Sequence, residues 1–174
     1  MNKANHQTHQ DEIKELISEF QSSDGLVRQR ARLALVSYGC EAVRALVEAL
    51  SDANEHARWE AAEALGAIAD PSASVALVHV LEDESMDVRG AAAESLINLD
   101  RGAVLPLLQE LTQHFDSVWL RSGAHHVLHV LKDRGRLTEE EIEVFNALEN
   151  LAPEAAVPWA AVRALETLRL KKRK

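Results

Sequence analysis

Two histidines one helical turn apart raise the question of chemistry first. In the stretch GAHHVLHVL, His125 and His129 stand at i and i+4. On a helix that spacing puts both imidazoles on one face, where they could share a transition metal. No glutamate completes a metalloprotease pattern around them, and the register of His125 is filled elsewhere by Arg32, Ala62, Ala93 and Val162. The plainer reading is a polar patch between neighbouring helices, so no metal ligand is assigned. His6 and His9 fall in the polar start MNKANHQTHQ, expected to be a flexible tail over residues 1–10. Cys40 is the single cysteine, which leaves no intramolecular disulfide to expect. It is expected to pack under a helix–helix turn rather than act as a nucleophile. A glycine-rich phosphate loop, a nucleophile elbow and a cysteine–histidine zinc spacing are all missing. No catalytic residue and no cofactor are therefore expected.

The elements that would position these side chains repeat. Arg28, Arg58, Arg89 and Arg121 are separated by 30, 31 and 32 residues. Three residues after each stands an alanine (Ala31, Ala61, Ala92, Ala124), and seven after each a leucine (Leu35, Leu65, Leu96, Leu128). One residue before each is apolar: Val27, Ala57, Val88 and Leu120. These offsets make one buried helical stripe. A turn follows, and a second helix carries its own stripe: Ala42, Leu46 and Leu50, then Ala73, Leu77 and Leu81, then Ala103, Leu107 and Leu111. Each unit is thus a helical hairpin that must stack on its neighbours to bury both faces. A fifth copy follows if Pro158 takes the arginine position in a first helical turn, which aligns Trp159 with Trp59. Ahead of the array, Ile13, Leu16, Ile17 and Phe20 mark a lone capping helix, with Thr8 to Asp11 as its capping box.

Composition fits this reading. Aromatic residues make up only 4% of the chain and hydrophobic residues 47%, a balance that favours close-packed helices over strands. The formal charge of -9 opposes nucleic-acid binding and adhesion to an anionic membrane, and no apolar run approaches the ~20 residues of a membrane span. The expected location is the cytoplasm.

The pattern D-x-x-x-x-V-R-x-x-A-A-x-A-L, present as DESMDVRGAAAESL and more loosely as DANEHARWEAAEAL, resembles HEAT repeats, and within them the short phycobilisome-lyase subtype. The resemblance implies an all-α fold, a right-handed α-solenoid of about five HEAT-like hairpins, forming a single domain over residues 11–170 with a basic tail at 171–174. It further implies that Arg28, Arg58, Arg89 and Arg121 form a structural ladder with loop acids such as Asp52 and Asp83. Deoxyhypusine hydroxylases resemble the same repeat but carry iron-binding His-Glu pairs at the register of Trp59-Glu60. Here that register reads Gln29-Arg30, Trp59-Glu60, Gly90-Ala91, Ser122-Gly123 and Trp159-Ala160, which excludes that site. Glycosylases built on such repeats need a basic groove that an acidic chain lacks.

The function implied is a non-catalytic scaffold or adaptor for a partner protein. The alternative implied by the lyase subtype is a subunit or chaperone in attaching or removing a chromophore or other cofactor. In such arrays the second helices line the concave face. Their outward residues are Arg44, Ala45 and Glu48, then Val75, Ala76 and His79, then Leu105, Pro106 and Gln109. Trp59, Trp119 and Trp159 form a second candidate set, since tryptophan is enriched at binding hot spots. The acidic helix from Glu139 to Glu149 is expected to be a solvated outer face.

Overall fold

A computed structural model describes residues 3–171 of the chain, with side chains described over 8–171. Among the described residues ten α-helices follow one another: α1 (Lys3–Glu19), α2 (Gly25–Tyr38), α3 (Cys40–Ala49), α4 (Glu55–Ile68), α5 (Ser74–Val80), α6 (Met86–Asn98), α7 (Arg101–Gln113), α8 (Val118–Asp133), α9 (Glu139–Leu148) and α10 (Pro153–Lys171). A short 3₁₀ turn, Pro71–Ala73, leads into α5. No strand occurs among the described residues. The architecture is an α-solenoid.

Each arginine-bearing helix starts at a polar cap four residues before its arginine. Asp24 and Asn54 accept from the N–H two residues on, while Ser85 and Ser117 accept from the N–H three residues on. Each satisfies a donor that a helix start leaves orphaned. The register then buries one stripe: Ala31, Ala61, Ala92 and Ala124, and Leu35, Leu65, Leu96 and Leu128, have no exposed surface. These helices stack in one row, α2 on α4, α4 on α6 and α6 on α8. The α4–α6 contact is so close that a Cβ on Gly66 would lie 2.8 Å from the Ser95 Cα. The Ser95 hydroxyl crosses the same contact to donate to the Ala62 carbonyl at 2.8 Å.

Two ends of the array differ from the sequence expectation. Helix α1 begins at Lys3, so the boundary expected at residue 10 lies inside a helix, and Thr8 is not a cap. His9 meets the Glu41 carboxylate at 3.1 Å and packs edge-on against Tyr38. At the other end α10 is not the first helix of a fifth hairpin. It packs on α7 and α9, much as α5 packs on α7, and so extends the second row. Pro158 is the sixth residue of α10 rather than part of its first turn. Residues 172–174 of the expected basic tail lie outside the described residues.

The helix expected to be a solvated acidic face is anchored. Thr138 and Glu141 form a reciprocal capping box at the start of α9. Glu141 is fully buried and takes two hydrogen bonds from the Arg101 guanidinium, at 2.5 and 2.9 Å. That bidentate pair ties the start of α7 to α9.

Candidate partner-binding face

The repeated arginines share a partner, and it is backbone. Arg28 donates to the Ser22 carbonyl at 2.7 Å, Arg58 to Asp52 at 3.0 Å, Arg89 to Asp83 at 2.7 Å and Arg121 to Phe115 at 2.6 Å. Each acceptor lies six residues before its arginine, in the loop that delivers the helix. The expected ladder of arginines and loop acids is corrected accordingly. Arg58 and Asp83 form one two-point rung, Nε to Oδ2 at 2.7 Å and Nη2 to Oδ1 at 3.0 Å. The Asp52 carboxylate instead takes the Gln21 amide at 2.8 Å and the Asn54 N–H at 2.7 Å. Burial pushes Asp83 up, but hydrogen bonds from Arg58 and the Ser85 N–H, with the charges of Arg58 and Arg89, outweigh it and hold the carboxyl below its ordinary value. Glu60, at the register of the iron-binding glutamates, is buried against Arg32 and Arg28, with Nε to carboxylate distances of 3.2 and 3.5 Å. Burial pushes its carboxyl up, against the pull of both arginines.

The outward residues of the second row do not form one continuous surface. Arg44 and Glu48 pair with each other at 3.2 Å, and with Ala45, Gln10 and Lys14 they line a depression of about 260 Å³ between α1 and α3. Val75 is 52% exposed, and His79 and Gln109 are exposed as well. These three join Pro106 and two α10 residues, Leu165 and Arg169, around a separate cleft of about 420 Å³. Ala76 and Leu105 are half-buried and line neither hollow. Leu165 and Arg169 were missed because the repeat register placed α10 in the other row.

The tryptophans lie apart from that cleft. Trp59 is half-buried with the Arg32 guanidinium 5.2 Å from its ring centroid. Trp119 carries Arg89 at 4.5 Å, beside Met86 and His126 around a hollow of about 280 Å³. Trp159, aligned with Trp59 by the sequence register, is 77% exposed on α10. His125 and His129 both face Phe145 of α9, with ring centroids 5.0 and 5.7 Å from it, and pair with Glu149 and Asp133 respectively. Among the described residues they belong to no group of three metal-ligating side chains. Cys40 is exposed rather than packed under its turn.

Residues 13–97 match the family model of HEAT repeats, so this segment is a run of HEAT repeats. No curated protein matches the chain. Among solved structures, a designed armadillo repeat protein in complex with the peptide (KR)4 is similar over 89% of this chain and 90% of that one, at 23% identity and a TM-score of 0.38. No helix among the described residues is long and apolar enough to cross a membrane.

Proposed function

We propose that this chain, with HEAT repeats over residues 13–97, is a non-catalytic scaffold that holds a partner protein in the cleft between α5, α7 and α10. The observation that carries the reading is the make-up of that cleft. Val75, Val78, Pro106 and Leu165 are its apolar side chains, set in a lining that is mostly polar through His79, Gln109, Glu110, Thr112, Gln113 and Arg169. A few apolar side chains among convergent polar groups suit a docked polar segment, and about 420 Å³ accommodates a few of its side chains. Val75 is a large apolar side chain left half open on a helix whose other apolar residues are buried or half-buried. In this reading the second-row helices and α10 act together as a single repeat domain, and Arg44 and Glu48 flank the docking site at a distance. A reducing cytoplasm suits the exposed thiol of Cys40.

Affinity capture from the native host tests this, comparing wild type with a Val75→Glu, Gln109→Lys double variant of unchanged helical circular dichroism. Both side chains are exposed, so the fold should tolerate the changes. The expected outcome is a discrete partner held by wild type and lost by the variant. Equal capture by both proteins would remove the cleft from the account.

A further inference from the structure

Three potential metal ligands, with a further histidine beside one of them, stand at the ends of two neighbouring helices. His79 and Glu82 lie three residues apart where α5 runs out, and Glu110 and His114 lie four apart at the end of α7, which packs on α5. Glu82, Glu110 and His114 each bring a ligand atom within 4.8 Å of the others. His114 Nδ1 lies 2.5 Å from one Glu110 oxygen, and His79 Nε2 lies 3.5 Å from the other. Glu110 is at the centre of the group, with its side chain only 13% exposed, while the two imidazoles face solvent.

We propose that this cluster is a binding site for a divalent transition metal of the zinc class, held by Glu82, Glu110 and His114 with a fourth position open to water. Two carboxylates brought this close repel each other unless a cation stands between them. The C-terminal end of α7 adds its own negative potential at the same place, which favours a cation further. The donor set then selects the ion. One imidazole nitrogen and two carboxylate oxygens, with an open fourth position, suit a zinc-class ion, whereas calcium and magnesium take oxygen ligands. His79 and Glu110 line the cleft, which leaves the site open to an ion from solvent. Among the described residues the cleft's one arginine or lysine, Arg169, belongs to α10. The ligands from the two helix ends lie 28 residues apart along the chain, counted from Glu82 to Glu110, so no local spacing revealed them.

The inference does not rest on partner binding, because titration with the metal alone tests it. Zinc would be titrated into the full chain in competition with a chromophoric chelator, alongside His114→Ala, Glu110→Gln and a His125→Ala, His129→Ala double variant. One zinc per chain is expected for wild type and for the His125, His129 variant. His114→Ala and Glu110→Gln should each weaken binding by at least about 10-fold, the size of effect that even outer-sphere partners of a metal have. His114 is exposed, so that variant should stay folded even where Glu110→Gln does not. Zinc that fails to bind wild type, binds equally to His114→Ala, or is lost from the His125, His129 variant would overturn the proposal.

Discussion

Arg58 holds two loops at once. Its guanidinium donates to the carbonyl oxygens of Asp52 and Ala53 on one side and grips the Asp83 carboxylate on the other. Both side chains of that pair are less than one-tenth exposed. Arg58→Ala would leave a largely buried carboxylate without its cation, a loss of about 3 kcal/mol, to be read from urea denaturation near neutral pH. Asp83 also gives the fold an acid dependence of known sign. Its carboxyl is held below the ordinary aspartate value, so its stabilisation is present above that value and is lost as pH falls through the lowered one. Asp83→Asn should therefore flatten the acid limb of the stability curve, measured by melts from neutral pH downward. The arginine register was legible in the sequence, but its common partner was not. The acceptor positions read Ser22, Asp52, Asp83 and Phe115, and a carbonyl imposes no choice of side chain. The family resemblance implied a ladder of carboxylates where a ladder of carbonyls stands.

At the level of the helices, close approach decides which small residues are required. Gly66 faces the Ser95 backbone, whereas a Cβ at Gly90, in the interior of α6, would meet nothing within 4 Å. Gly66→Ala should cost about 1–3 kcal/mol through overpacking, while Gly90→Ala should stabilise by up to ~1 kcal/mol through helix propensity. Thermal melts of the two variants should thus shift in opposite directions. Ala92 has no exposed surface, and Ala92→Leu should resemble Gly66→Ala in size and sign. The stripes that produced these pairs were plain in the sequence because burial enforces helical periodicity. The placement of α10 was not, since Ala161 and Leu165 satisfy any amphipathic helix. One signal did separate it from the arginine helices. Four residues before Pro158 stands Glu154, where the others have Asp24, Asn54, Ser85 and Ser117 as caps.

For the molecule as a whole, the position of α10 changes what the second row can offer a partner. By packing on α7 it turns part of an open helical face into a cleft, contributing Leu165 and Arg169 opposite Val75. Val75, His79 and Gln109 were legible as outward positions from helical periodicity alone. The wall supplied by α10 was hidden, because it depends on how the chain turns back after α9 and not on any repeat. The most direct measurement places a photo-crosslinking amino acid at Val75, or at Leu33 on α2, which is similarly exposed at 61%. Each protein would be irradiated in extracts of the native host, and the cross-linked species identified by mass. The account requires one discrete partner to be captured from position 75 and not from position 33. Capture from position 33 alone, or the same products from both, would contradict a docking site in the cleft.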